Sequence, residues 1–453
     1  MQHVLYVWAH GEPVGQLAFE PMQDQYTFAY HPDWQARDGA YSLSPHIPVT
    51  GEVPVPGAVA RFLGNLLPEG HALEVASSLY HVSKSNIYAL IRRLGKEPVG
   101  ALSFVASEEE QDPGALSREL LEPVRREISP EELAHRIQER AAIPFPVWDG
   151  QVRLSIAGFQ DKLQVLVEGE NFSLVDGSLS STHILKPESV NPLTQFIVAN
   201  EHYCMSLAAS MGLPVAPVSI RRIPAPVLLI ERFDRIVTPD PEFPDRAQSV
   251  RRLHVIDGCQ ALDLPHTYKY ERNLGHTRDV ANIRDGASFE KLFSLTPHLE
   301  TPVVTQQFML RWAILQLLLG NSDAHGKNIS FFVKPGGLAP APIYDLVAVN
   351  VYGNAFIPDM AMAYGDVFLI DELTPFALAD FAKRANIRPV LLAREMTRLA
   401  KLALQHAPEQ ARNAVYTDDE RALVQQISDF VCVQANRLLS LAPHVPKVNS
   451  DLL

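Results

Sequence analysis

Val4 to Trp8 is a short apolar run, and Val14 to Leu17 is a second strand-like run, with His10-Gly11-Glu12-Pro13 between them. That pattern predicts a β-hairpin. Tyr26, Phe28 and Tyr30 recur with a period of two, as in a third strand with one buried face. Asp33 to Glu52 is rich in Pro and Gly and reads as loop. From Val59 to Leu67 the period lengthens to that of a helix, which is expected to end at Pro68-Glu69-Gly70; a second helix is expected from about Asn86 to Leu94, stopping near Gly95. Val99 to Val105 is a further strand. These elements predict a small α+β subdomain over residues 1–106.

Residues 107–150 are expected to form a linker and one helix. Ser107 to Ala115 is acidic and contains Pro and Gly, the composition of a linker. Ser129-Pro130-Glu131-Glu132 places Ser at an N-cap, Pro at the first helical position and Glu three residues after the cap. From Val152 the pattern is β again. Val152 to Ile156, Leu163 to Val167, Phe172 to Leu174 and His183 to Lys186 are short strand-like runs. A helix follows over Ile197 to Met211, then strands over Val218 to Arg221 and Val227 to Phe233. A hairpin, a strand ending in Lys, a helix bearing Glu and strands leading to a hinge are the order of a protein-kinase N-lobe, assigned to 151–235. From Leu253 the chain is expected to turn helical, with Val303 to Leu319 the longest buried helix, Thr374-Pro375 opening another and Thr417-Asp418-Asp419-Glu420 a capping box. Residues 236–453 would then be a mainly helical C-lobe, with Pro239 to Gln248 an exposed loop. The fold class expected is α+β, two-lobed and protein-kinase-like, with an extra N-terminal subdomain.

Composition narrows this picture. A chain of 453 residues, 47% hydrophobic, is too long for one ordinary core. No apolar run reaches the roughly eighteen residues that span a bilayer, and Met1-Gln2-His3-Val4 lacks the start of a signal peptide. Three cysteines without ligand spacing suggest a reducing compartment, so a cytoplasmic protein is expected. The net charge of −13 speaks against bulk binding to nucleic acid.

The chemistry concentrates after the buried helix, in Gly320-Asn321-Ser322-Asp323-Ala324-His325-Gly326-Lys327-Asn328. An acid and an amide five positions apart match the protein-kinase catalytic loop, in which Asp accepts the substrate's hydroxyl proton and Asn holds a metal ion. Asp323 is therefore the candidate base. Asn328 and Asp345, seventeen residues further on, offer the hard oxygen ligands that Mg²⁺ prefers. Lys186 would neutralise phosphate charge and pair with Glu201. Ser155 to Lys162, between two strands, would lie over the phosphates and donate backbone N–H groups. Glu231-Arg232-Phe233 would form a hinge, with Phe233 an apolar wall for adenine. Taken singly, Lys186 reads equally as a solvated lysine at a strand end, Glu201 as a helix-dipole partner, Asp345 as a turn residue and Glu231 to Arg235 as a charged strand end. A zinc site at His325 is disfavoured because no second His stands at helical spacing.

Arg153-Leu154-Ser155-Ile156-Ala157-Gly158-Phe159-Gln160-Asp161-Lys162, Thr182-His183-Ile184-Leu185-Lys186-Pro187, Glu231 to Arg235 and Asn321 to Asn328 resemble, in this order, the HipA family of serine/threonine kinase toxins from bacterial toxin–antitoxin systems. Phe62-Leu63-Gly64-Asn65-Leu66-Leu67-Pro68-Glu69-Gly70 looks like that family's N-terminal signature. The resemblance implies an ATP- and Mg²⁺-dependent protein kinase with Asp323 as catalytic base. It implies ATP contacts at Ala157, Gly158, Phe159, Gln160, Asp161, Lys162, Lys186, Glu231, Arg232, Phe233, His325, Gly326, Lys327, Asn328, Tyr344, Asp345, Leu346 and Val347. It also implies autophosphorylation of Ser155, whose roughly two added negative charges would repel ATP. The implied partners are a small helix-turn-helix, HipB-like antitoxin, operator DNA reached mainly through it, and a translation-related protein substrate such as an aminoacyl-tRNA synthetase; no membrane is implied. Ala324 and Gly326 stand where family members often have Gly and Ala, an exchange of two small residues. A catalytically weak co-repressor and a small-molecule kinase of related fold are the competing readings.

Overall fold

The computed structural model describes residues 2–106, 122–153 and 160–453, with the backbone alone of 354 and 355. The Ser107 to Ala115 linker, Leu154 to Ile156 of the expected strand, Ser155 and the phosphate-loop residues Ala157, Gly158 and Phe159 lie outside the described residues. The chain divides into two compact units. The first comprises residues 1–187, 221–256 and 332–337, the second 188–220, 257–331 and 338–453.

In the first unit the expected hairpin forms, His3–Ala9 against Glu12–Glu20. His10 and Gly11 both take positive φ at its turn, the backbone that a tight two-residue connection needs. Gln25–Tyr30 and Leu102–Ala106 flank the pair and complete a four-stranded sheet. Leu5, Val7, Val14 and Leu17 are buried, as are Phe62, Leu63 and Leu90 of the helices Ala58–Leu66 and Ile87–Leu94. The second helix starts at Asn86, whose side chain accepts the Ala89 N–H at 3.0 Å. Two helices went unexpected: the short Pro32–Ala36, running into the stretch read as loop, and Gly70–Tyr80. Pro68 and Gly70 do end the preceding helix, but Gly70 is also the first residue of the next.

The second sheet of this unit has six strands in the order Val218–Ile223, Ala225–Glu231, His183–Pro187, Leu163–Glu168, Asn171–Gly177, Pro123–Ile128. Leu163, Val165, Leu185, Val227 and Leu229 form one core with Leu133, Ile137, Phe145 and Trp148. Leu133 and Ile137 belong to the helix Pro130–Glu139, which begins as expected with the Ser129 hydroxyl accepting the Glu132 N–H. The expected exposed loop holds for residues 240–246, which connect the two strands of a hairpin that takes in its ends. Arg235–Pro239 pairs with Ala247–Arg252, and Pro239 sits at a register shift, where its missing N–H costs no ladder bond.

The second unit is mainly helical. Pro302–Leu319 is exposed at its first turn but buried from Phe308 on, Arg311 apart, as a core helix is. Ile197–Ser210, Pro375–Arg384, Pro389–Ala411 and Asp418–Leu441 surround the core, the last opening on the expected Thr417/Glu420 capping box. The helical turn expected from Leu253 needs correcting. Val255–Asp257, Ser330–Lys334 and Gly337–Pro340 are strands, and most of 262–287 is irregular backbone. Among the described residues, no helix is long and apolar enough to cross a membrane.

Each unit buries a neutral histidine. In the first, His254 shares a hydrogen bond through Nε2 with the Leu43 carbonyl at 2.9 Å; in the second, His202 meets the Tyr416 hydroxyl at 2.9 Å through Nδ1. Burial pushes both down to about 4. Below the ordinary histidine pKa the unfolded chain takes up protons that the folded chain refuses, so stability falls as pH drops from about 6.5 towards 4. Urea unfolding at about pH 7 and about pH 5 should show a loss on the order of 2 kcal/mol per histidine. The slope should shrink in His254→Asn, and a pH-independent midpoint would contradict the burial of neutral imidazoles.

Candidate active site

The helix Pro302–Leu319 ends because Gly320 adopts φ +63, and no other residue fits there: a Cβ would lie 2.6 Å from the Phe430 ring. The polar residues that follow are thereby kept inside, where their hydrogen bonds must be made locally. Asn321 returns to the helix, its N–H and side-chain amide reaching the Gln316 carbonyl and Oε1 at 3.1 and 2.9 Å. Its Oδ1 accepts the Asp323 N–H at 3.2 Å. The Asp323 carbonyl accepts the His325 N–H at 2.8 Å and the Asn328 side-chain amide at 2.9 Å. Asp323 and Asn328 are thus tied through the backbone of one and the amide nitrogen of the other, which leaves the Asn328 Oδ1 lone pairs for a ligand.

The two basic residues of the loop have different roles. His325 is buried, and burial, with Lys269 nearby, holds its pKa well below the usual value. The ring is therefore neutral, and its Nδ1 accepts the Lys327 N–H at 3.3 Å. Lys327 is buried and charged; its Nζ meets Asp257 Oδ2 at 2.5 Å. Tyr344 closes the loop, donating to the Lys327 carbonyl at 2.6 Å and lying 2.7 Å from the Ser330 hydroxyl. Asp345 has φ +57 and lies near enough to His325 to oppose the lowering of its pKa. Leu346 is buried beside it and Val347 half-buried.

A segment that sequence reasoning missed shapes the acid. The Tyr270 hydroxyl donates to Asp323 Oδ1, and the Tyr270 ring stands edge-on to His325 with centroids 5.0 Å apart. Glu271, beside it, is buried with its pKa raised by burial, although it accepts from the Ala363 N–H at 2.7 Å and Arg284 Nε at 2.6 Å. The Gly326 N–H donates to the Lys269 carbonyl at 2.8 Å. The backbone around Tyr270 leaves no free space: a Cβ at Gly286 would stand 1.8 Å from the Tyr270 carbonyl oxygen, and one at Gly326 would stand 2.6 Å from the Ala287 methyl. The only advance signal was a Tyr-Lys-Tyr-Glu-Arg run too mixed for a helix face.

Among the described residues, no three His, Cys, Asp or Glu side chains cluster as a metal cage. A site built from the Asn328 amide oxygen and the Asp345 carboxylate suits Mg²⁺, which keeps several waters and takes phosphate oxygens rather than a full protein shell.

The remaining candidates lie mostly in the first unit. Lys186 is buried on His183–Pro187, paired in register with Leu228. Lys162 is buried, Asp161 stands 3.5 Å from Arg140 Nε, and the Gln160 amide reaches the Pro187 carbonyl at 3.4 Å. Glu201, in the second unit, is fully buried on Ile197–Ser210. At the expected hinge, Glu231 is exposed and Phe233 packs edge-on against Phe332 at 5.8 Å. Arg232 faces inward. Its N–H donates to the Thr182 carbonyl at 2.9 Å, and its guanidinium grips Asp234 at 3.0 and 2.9 Å. Arg235 joins Asp234 at 2.7 Å and Glu97 at 3.2 Å, and Glu97 also accepts from the Ser181 N–H and hydroxyl. Burial opposes ionisation of Asp234, but Arg232 and Arg235 outweigh it and hold the carboxyl well below its usual range.

A sheet carrying a buried lysine, a mainly helical second unit and an Asp–Asn loop after its core helix define a protein-kinase-like α+β fold. The model of the HipA N-terminal domain matches residues 5–105, and that of the HipA-like C-terminal domain matches residues 154–411. The chain belongs to the HipA family. It is 39% identical, over 96% of both chains, to the serine/threonine-protein kinase toxin HipA of Shewanella oneidensis. Its structure resembles a chain in the solved complex of HipA, HipB and operator DNA from that organism, with a TM-score of 0.86 and 36% identity over 98% of this chain and 100% of the other.

Gly326 leaves no room for a side chain. Gly326→Ala should lower stability by about 1–3 kcal/mol through overpacking against Ala287, read from the urea midpoint. A wild-type midpoint would show that Ala287 yields.

Proposed function

We propose that this chain is an ATP- and Mg²⁺-dependent serine/threonine protein kinase, the toxin of a toxin–antitoxin pair, acting in the cytoplasm. The observation that carries this reading is the buried loop in which Asp323 and Asn328 are held together, within a chain so similar to a kinase toxin over nearly its whole length. The substrate class would be a translation-related protein such as an aminoacyl-tRNA synthetase. The partner would be a HipB-like helix-turn-helix antitoxin; the HipB and operator DNA in the Shewanella complex support this, with DNA reached mainly through the antitoxin.

In the proposed reaction the substrate hydroxyl oxygen bonds to the γ-phosphorus of ATP, the bond to the β-bridging oxygen breaks, and ADP leaves. Asp323 accepts the hydroxyl proton, help worth roughly 10²–10⁴-fold. Lys186 and the backbone of Ala157, Gly158, Phe159, Gln160, Asp161 and Lys162 would offset phosphate charge. Mg²⁺ at Asn328 and Asp345 would neutralise charge on the phosphoryl oxygens. Glu231 and Phe233 would hold adenine. Arg232 supports the hinge from inside, since its N–H and guanidinium are already engaged. His325, Gly326, Lys327, Tyr344, Leu346 and Val347 would line the nucleotide site; neutral His325 adds no charge of its own. Self-phosphorylation at Ser155 would switch the enzyme off by repelling ATP.

Intact mass after incubation with ATP and Mg²⁺ tests the reading directly. The wild type should gain one phosphoryl group that maps to Ser155, and Asp323→Ala should gain none while remaining folded. A mutant that gains it as fast as wild type would remove Asp323 from its role. ATP binding without any phosphoryl gain, on itself or a protein, would favour the co-repressor or small-molecule kinase. Tyr270→Phe should keep ATP affinity and lower kcat about tenfold, because Asp323 loses the donor that fixes its carboxylate. An unchanged kcat would mean that Tyr270 only fills space.

A further inference from the structure

Inside the first unit, three arginines act on one another and on only two carboxylates, Glu97 and Asp234. Arg232 takes Asp234 at 2.9 Å; Arg235 takes Asp234 at 2.7 Å and Glu97 at 3.2 Å. Arg252 is the third, and among the described residues it makes no ion pair. Its Nη2 donates to the Ser103 hydroxyl, and its Nη1 is shut off from solvent with no acceptor among the described residues. Burial pulls the pKa of this guanidinium down, and Glu97, already engaged by Arg235 and Ser181, does not restore it. A cation out of water needs a counter-charge, because nothing else offsets its lost hydration.

Two more unmet donors stand beside it. Trp8 is opposite Ser103 in the register of His3–Ala9 and Leu102–Ala106, so the two side chains share one face of the sheet. Trp8 Nε1 is buried without an acceptor among the described residues. The Tyr41 ring stacks on His254, two residues after Arg252, with centroids 5.2 Å apart, and the Tyr41 hydroxyl is likewise buried and unpartnered. Burial pushes Tyr41 up to about 12, so the phenol keeps its proton and can donate it. His254 is not a fourth donor. Its Nε2 faces the Leu43 carbonyl and so carries the proton, while Nδ1 lies against Gly100, where a Cβ would stand 2.9 Å away. Of the other arginines acting on Tyr41, Arg37 is paired with Glu12, and Arg251 is exposed with no ion pair among the described residues. The surroundings therefore do not cancel the excess charge. A buried water would take some of these donors but leave Arg252 unmatched; an anion answers both. Because Nη2 is already used at Ser103, the two-pronged fork that carboxylates and phosphates prefer is not free. A spherical ion fits the three single donors better.

We propose that Arg252 Nη1, Trp8 Nε1 and the Tyr41 hydroxyl form a binding site for a compact monovalent anion of halide size. Trp8 and Tyr41 belong to the segment matched by the N-terminal family model and Arg252 to the segment matched by the C-terminal one, so a bound anion ties the two together. The site is separate from the residues assigned to ATP and does not rest on the kinase reading, because its donors are unmet whatever the Asp323 loop does.

The test uses the full-length protein and chloride as the probe. At fixed ionic strength, replacing gluconate by chloride should raise the urea midpoint and then saturate, as a ligand of the folded state does. Trp8→Phe and Tyr41→Phe each remove one donor and keep a ring. Each should weaken the apparent chloride affinity about tenfold, the worth of one hydrogen bond to a charge. Arg252→Gln should abolish the response; if that variant fails to fold, the two Phe variants carry the test. Crystals grown in bromide should show an anomalous peak within hydrogen-bond reach of all three donor atoms. A midpoint indifferent to chloride, a response that either Phe variant retains in full, or a water at the site that bromide does not replace overturns the proposal. Failure of the kinase reading would appear separately, as a missing phosphoryl gain in the mass experiment.

Discussion

A buried apolar helix that stops at a left-handed glycine sets the terms for everything around the candidate catalytic loop. Once Pro302–Leu319 is committed to the core from Phe308 on, the chain leaving Gly320 has no water to turn to. Polar groups in such a place must be paired or they cost more than the loop can offset. The loop meets this demand by folding on itself: Asn321 reaches back to Gln316, the Asp323 carbonyl gathers two donors, and Tyr344 takes the Lys327 carbonyl. The Asp323 carbonyl and the Asn328 amide nitrogen are consumed in that pairing, while the Asp323 carboxylate takes the Tyr270 hydroxyl and the Asn328 Oδ1 stays outside it. The geometry needed for reaction is thus a by-product of satisfying the backbone.

Charge in the same region is handled by division of labour. Lys327 is matched to Asp257, and Glu271 takes up Arg284 and the Ala363 N–H. His325 escapes the problem by staying neutral. Each buried ion has a partner at hydrogen-bond distance, which is the condition under which buried charge is tolerated at all.

The features legible in the sequence were those that local spacing encodes. Short apolar runs broken by Gly or polar residues located the first hairpin and the three central strands carrying Leu163, Phe172 and Lys186; capping residues located the helices at Ser129, Thr374 and Thr417. The Asp323–Asn328 pair was visible for the same reason. Pro123–Ile128 was not, because an edge strand reading Val-Arg-Arg-Glu has too little apolar content to show a face. The hairpin around Pro239 was hidden by prolines that occupy positions where no ladder bond is lost. Tyr270 was invisible for a deeper reason. It reaches Asp323 across 53 residues that include irregular chain and two helices, and no periodicity links the two. Glu97 and Arg235, 138 residues apart, are the same case.

That last pair changes how the chain can be divided. Glu97 belongs to the segment matched by the N-terminal family model, Arg235 to the segment matched by the C-terminal one. Arg235 is almost fully buried, and Asp234 is already shared between it and Arg232. Cutting the chain after the N-terminal segment would strand a guanidinium in a dry interior with half its counter-charge gone. Two pieces that look like separable modules in sequence are therefore one electrostatic unit. Separating them would take from Arg235 one of its two carboxylate partners.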